Sequence, residues 1–330
     1  MVKQGIIVVS HPRSGSSEFI RTLGHFAANE LTVNKPVGIM AECFHWADGT
    51  TFGNFAKVRV LESDSNKFPC QETVLEPNFN LPKLSPDDNV VWQDPFYQPV
   101  TKLFKTPEDA KDYYLDQYQQ RIGYVNDVVV EKYFPIIKSF VGFVNYLGND
   151  NAILDLQGSL ASKLTNIEPI FFYRKNLVDT VLSDLIKWLY IDRPLLDGDI
   201  KLDGYSGHNF NDTMPPLLPK PGITISNDIS RHYPEIFCET LKNYQMNREF
   251  FKNVISYDQV FVDKKFKLNW GNRVYEITGH NNPDREYPMN YQAPKKDYFE
   301  NSNIVVDAIN KTITKYDLWD TVDELGIIVK

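Results

Sequence analysis

The chain has 330 residues, 42% hydrophobic and 13% aromatic, with 35 basic against 43 acidic side chains and a formal charge of −8. That length and apolar content suit one large α/β domain or two small ones around a sizeable core, and they argue against disorder. An acidic whole argues against a nucleic-acid or anionic-membrane surface, so an anionic ligand has to be held by a local basic pocket.

No apolar run is long enough to span a bilayer, and the first residues open into a strand pattern without a basic-then-apolar leader, so a cytoplasmic protein is expected. The cysteines Cys43, Cys70 and Cys238 are odd in number and far apart. Neither a disulfide framework nor a zinc site by CxxC spacing is expected, and the six scattered histidines form no ligand motif, so no metal is expected either.

The first element is the most informative. Ile6, Ile7, Val8 and Val9 form a β-branched run that suits a buried strand, and Ser14, Gly15, Ser16 and Ser17 suit a tight turn leading into a helix N-terminus. Free backbone N–H groups at such a terminus, with the helix dipole behind them, hold phosphate or sulfate. Gly15 allows close approach, the serines offer hydroxyls, and Arg13 supplies a permanent charge. The Walker pattern GxxxxGK[ST] is absent, as is GxGxxG.

The run Ser10-His11-Pro12-Arg13-Ser14-Gly15-Ser16-Ser17 resembles the loop with which sulfotransferases grip the 5′ end of 3′-phosphoadenosine 5′-phosphosulfate (PAPS). Arg13 falls where that family places its loop lysine or arginine. The resemblance implies a P-loop-like α/β fold, PAPS as co-substrate, 3′-phosphoadenosine 5′-phosphate (PAP) as product, and no metal.

Residues 19–31 continue as a helix with Phe19, Leu23 and Phe26 at helical spacing. Glu42 then stands inside an apolar run, residues 37–46, where an unpaired carboxylate is costly; it needs a cation or a raised pKa. Glu42-Cys43-Phe44 is similar to the element that bacterial carbohydrate sulfotransferases of the trehalose type use as general base, without the usual preceding glycine. Residues 51–107 read as an irregular insertion with aromatics at Trp92, Phe96 and Tyr97, a candidate acceptor wall. A helix is expected at 107–130, opened by Thr106-Pro107-Glu108-Asp109.

Residues 134–140 form a second buried-strand candidate interrupted by Lys138, which a doubly wound sheet would bring to its ligand crevice. The run resembles the K-[TS]-H strand of many cytosolic sulfotransferases, but Phe140 replaces the histidine, and this shifts the base role onto Glu42. After a helix at 153–164, a third strand candidate at 168–174 leads into an apolar helix at 178–190. Their junction resembles the family's 3′-phosphate motif R-N-P-x-D-x-x-x-S. Counted back from Ser183, the arginine position is Lys175, with Asn176 and Asp179 in register, Leu177 for the proline, and Arg174 one residue early.

Residues 192–227 are a second irregular insertion and 233–252 a long helix. Tyr257-Asp258-Gln259 is similar to a strand-end phrase of the family and is read as supporting the fold. Lys295 and Lys296 are similar to its late basic element.

The alternation of buried strands with helices predicts a single domain built on an open, mostly parallel sheet with helices on both faces, its ligand at the strand C-terminal ends. The resemblance implies transfer of a sulfonate group from PAPS to an acceptor hydroxyl of a small molecule or glycan. Arg13, Ser14, Gly15, Ser16 and Ser17 would bind the 5′ phosphosulfate, Lys138 the bridging oxygen, Arg174 or Lys175 with Ser183 the 3′-phosphate, and Glu42 would be the base. A P-loop kinase and a non-catalytic nucleotide-binding relative are the alternatives.

Overall fold

Ile6, Ile7, Val8 and Val9 are at most 1% exposed, and a strand apolar on both faces belongs between two others. In the computed structural model, β1 (Gln4–Ser10) runs parallel to β5 (Phe134–Ser139) on one side and β6 (Asn166–Tyr173) on the other. The structure describes residues 4–11, 14–31, 35–40, 58–62, 71–75, 123, 127, 129–139, 166–187, 224–225, 227–278 and 299–330. By its contacts the chain divides into two units, Met1–Tyr173 with Asn243–Gly279, and Arg174–Lys242 with His280–Lys330.

In the first unit the sheet among the described residues has seven strands in the order β4-β3-β2-β5-β1-β6-β7, with β2 (Val37–Met40), β3 (Val58–Glu62), β4 (Gln71–Leu75) and β7 (Asn253–Ser256). The strands from β2 to β7 are mutually parallel, whereas β3 and β4 join antiparallel at one edge. The expected mostly parallel sheet is therefore present. The two edge strands correct the reading of 51–107 as irregular throughout: at five residues each they are too short for a periodicity to stand out from a Pro- and Asn-rich segment.

Helix α1 (Ser16–Asn29) covers one face, burying Phe19, Ile20, Leu23 and Ala27 against Ile6, Val8, Ile39, Ile136 and Phe172. Phe19 stacks on Phe172 at 4.2 Å. Neighbouring strand residues point to opposite faces, so Phe171 packs on the other side, at 4.4 Å from Tyr244 in the last turn of a long helix and 5.5 Å from Phe251. The hairpin β8 (Lys265–Trp270) and β9 (Arg273–Thr278) buries Phe266, Leu268 and Trp270 in the core that holds Phe19, with the residues between them exposed.

A carboxylate lies deep in this unit. Glu168 on β6 is 1% exposed; it accepts hydrogen bonds from Lys252 Nζ at 3.3 Å and Asn253 Nδ2 at 3.1 Å. Asn253 Oδ1 in turn accepts from the Asn269 N–H at 2.7 Å, tying β6, β7 and β8 together. Burial pushes the Glu168 carboxyl above the ordinary carboxylate range, with Lys252 and Asn253 pulling part of the way back.

The second unit is helical among its described residues: α2 (Leu177–Lys187), most of α3 (Asn227–Met246), α4 (Asn303–Lys315) and α5 (Trp319–Leu325). Asn301 joins it to the chain before α3 by a reciprocal pair, taking the Ile225 N–H at 2.8 Å and donating to the Ile225 carbonyl at 2.9 Å. The helix expected at 233–252 begins earlier, at Asn227, with Pro234 inside it, and α3 ends before the 3₁₀ turn Arg248–Phe250. The helices expected at 107–130 and 153–164 and the insertion at 192–227 lie largely or wholly outside the described residues. No helix among the described residues is long and apolar enough to cross a membrane.

Two outcomes follow from this packing. A Cβ on Gly38 would stand 2.9 Å from Tyr133 Cβ, whereas one on Gly24 would meet the side-chain ends of Ile39 (Cδ1 and Cγ1) and Leu61 (Cδ1), which can move. Gly38→Ala should therefore cost about 1–3 kcal/mol in urea unfolding and Gly24→Ala less, since alanine also favours the helix; an equal or reversed ranking contradicts the packing.

The second concerns pH. Between the ordinary carboxylate range and the raised value of Glu168 the folded state binds more protons than the unfolded chain, so this contribution is complete at low pH and lost as pH rises through the folded-state value. Urea midpoints measured between about pH 4 and pH 8 should fall for the parent relative to Glu168→Gln as pH rises. A gap independent of pH would contradict the assignment.

Candidate functional site

The sheet order reverses at β1. From β1 the chain passes through α1 out to β2, returns to β5 beside β1, and then reaches β6 on the other side. In parallel α/β sheets such a reversal opens a ligand crevice outside the strand carboxyl ends. The loop after Ser10 lies at that edge of β1, and Lys138 is the next-to-last residue of β5, level with Val8 of β1. The chain leaves β2 at Met40, level with Ile137.

Gly15 caps α1. Its backbone is left-handed (φ 83°), its carbonyl accepts the N–H groups of Glu18 at 3.2 Å and Phe19 at 3.1 Å, and no side chain caps the helix. A serine cap, the ordinary purpose of a Ser-rich start, is therefore not what these serines provide. Ser14 is wholly buried and its Oγ has no hydrogen-bond partner among the described residues; the same holds for Ser10 at the end of β1. A buried hydroxyl left in that state costs about 1–3 kcal/mol and is the kind of group that a ligand satisfies.

Lys138 is 1% exposed and its Nζ donates to Ser17 Oγ at 2.9 Å. Ser17 is in the first turn of α1, so the ammonium stands at the positive pole of the helix dipole, where an acidic group is the favoured neighbour. Glu18 in the same turn is 3.8 Å from Arg21. A helix N-terminus and a buried ammonium are the kinds of group from which anion receptors are built.

The structure thus brings Ser14, Gly15, Ser16, Ser17 and Lys138 together. Arg13 and Glu42 lie outside the described residues. Arg174, Lys175 and Ser183 belong to the second unit. There Arg174 and Lys175 directly follow β6 and are half-buried, and Asn176 caps α2, its Oδ1 accepting the Asp179 N–H at 3.0 Å. Thr180 Oγ donates to the Asn176 carbonyl at 2.7 Å, and Ile328 N–H to the Lys175 carbonyl at 2.7 Å. Asn176, Asp179 and Ser183 recur at three and four residues and share one helical stripe, with Ser183 8% exposed. Asn176, expected as part of a phosphate motif, spends its side-chain oxygen on the cap.

Two contributors were missed by the sequence reading. Ser10 opened the run that carries the loop resemblance but was given no role, and Tyr257 was assigned to fold support, yet its ring lies directly against Gly15. Cys238 adds no nucleophile: burial, with help from Glu235 and Glu239, pushes its thiol up to about 12.

Comparison of the chain with family models, with curated proteins and with solved structures found no match.

Proposed function

We propose that the chain is a sulfotransferase acting in the cytoplasm on PAPS and an acceptor hydroxyl, most simply of a carbohydrate. The observation that carries this reading is the buried Lys138 ammonium on Ser17 at an uncapped helix N-terminus, with the hydroxyl of Ser14 unpartnered among the described residues. Such a place suits a group carrying negative charge in the ground state and gaining more during reaction.

In the proposed step the acceptor oxygen attacks the sulfonate sulfur in line, the bond from sulfur to the 5′-phosphate oxygen breaks, and PAP leaves with that electron pair. Glu42 takes the acceptor proton, a contribution of roughly a hundredfold or more in rate. Ser16, Ser17 and Arg13 hold the 5′-phosphate, and Lys138 meets the charge that grows on the bridging oxygen. Ser183 with Arg174 or Lys175 is assigned to the 3′-phosphate on the sequence motif.

Magnesium-dependent phosphoryl transfer in P-loop enzymes calls for a loop lysine and a carboxylate that holds the ion. Among the described residues the buried charged group beside the loop is Lys138 from β5, and the loop sequence has no Walker lysine, which favours sulfonate over phosphoryl transfer.

Ligand binding raises the melting temperature of the state that binds, by about 2.7 kcal/mol of stabilisation at a hundred times the dissociation constant. PAP should therefore raise the melting temperature by several degrees, more than ATP with magnesium, GTP or NAD, and Arg13→Ala and Lys138→Met should each remove most of that rise. An undiminished rise in both variants would sink the loop assignment. Glu42→Gln should bind PAP normally yet lose sulfonation by roughly a hundredfold or more, followed as transfer from labelled PAPS. Unchanged transfer removes Glu42 from the base role, and a parent that binds PAP without transferring to any hydroxyl points to the non-catalytic relative.

A further inference from the structure

Gly15 lies under two rings from the far side of the sequence. A Cβ there would stand 2.8 Å from both Cδ2 and Cε2 of Tyr257 and 3.4 Å from Cε2 of Phe261. Tyr257 immediately precedes, and Phe261 lies within, one π-helical turn, Asp258–Val262, which follows β7 and is closed by the Asp263 N–H on the Asp258 carbonyl at 2.8 Å. Turns of this kind are rare and concentrate at functional sites.

The two rings stand 4.7 Å apart and pack against the core around Phe19. The turn that carries them is fixed to β7: Gln259 Oε1 accepts from the Ser256 N–H at 2.7 Å and from Ser256 Oγ at 3.1 Å, and Val260 is wholly buried. The turn that carries the rings is thus anchored to the sheet.

We infer that Tyr257 and Phe261 are positioning residues of the anion site. Their rings leave room above the turn for a hydrogen and nothing larger, which sets the height of Gly15 over the sheet and with it the direction of the Ser16 and Ser17 N–H groups. The inference rests on the anion-binding reading of the loop.

Its test is calorimetric titration of PAP, with melting curves recorded in parallel. Displacing a binding group by an ångström is expensive, so Tyr257→Ala should weaken PAP binding about tenfold or more. Tyr257→Phe, which keeps the ring, should stay within about twofold of the parent. Gly15→Ala should also weaken binding, and the Gly15→Ala, Tyr257→Ala double variant should lose clearly less than the two single losses combined, because the new methyl enters the space that the ring vacates. A ring that merely supports the fold would lower the melting temperature, leave the affinity of the folded protein unchanged and give additive losses; that result overturns the inference. If Tyr257→Ala does not fold, Phe261→Leu carries the test, with a loss of about threefold or more expected and none overturning it. A parent that binds no PAP removes the anion reading itself, whereas a parent and a Tyr257→Ala variant that bind equally remove only the positioning role.

Discussion

A lysine ammonium buried at the positive end of a helix is the constraint on which this structure turns. Lys138 is 1% exposed and donates to Ser17 in the first turn of α1. Helix dipoles favour anions at that end and cations at the other, so the local electrostatics are arranged against the fold's own convenience. Burying a charge there is costly unless something of opposite sign completes it. The buried Ser14 hydroxyl, without a hydrogen-bond partner among the described residues, and the absence of a side-chain cap on α1 belong to the same helix end.

The sheet is what makes the arrangement possible. Parallel pairing puts the carboxyl ends of β2, β5, β1, β6 and β7 along one edge, and the strand order reverses at β1, the position at which sheets of this kind bind ligands. The apolar contacts of Phe19 with Phe172 and of α1 with β2 hold the helix at a fixed height. The rings of Tyr257 and Phe261 bear on its capping glycine from the neighbouring side of the core. Rigid surroundings of this kind are what electrostatic preorganisation requires.

Much of this was legible in the amino-acid order, for identifiable reasons. β1, β5 and β6 are short apolar runs buried on both faces, and Lys138 stood out as the lone charge within one of them. Glu168 did not stand out in the same way: it opened a strand candidate, and its burial depends on Lys252 and Asn253, far along the chain. β3 and β4 escaped notice because five residues of edge strand carry too little periodicity. The long helix expected from 233 starts at Asn227, with Pro234 inside it. The contact of Tyr257 with Gly15 had no local signature at all; glycine at a turn is explained by its backbone, and only the fold shows that a ring also excludes a side chain there. Contacts between distant segments are fixed by topology, which no spacing within either segment encodes.

The central claim is that the N-terminus of α1, with Lys138, holds the 5′-phosphate of an adenine nucleotide. A crystal structure of the protein with PAP tests it most directly. The account predicts the 5′-phosphate within hydrogen-bond reach of the Ser16 and Ser17 N–H groups and of Lys138 Nζ. PAP bound elsewhere, with Lys138 still joined to Ser17 and no phosphate at the helix, would contradict it.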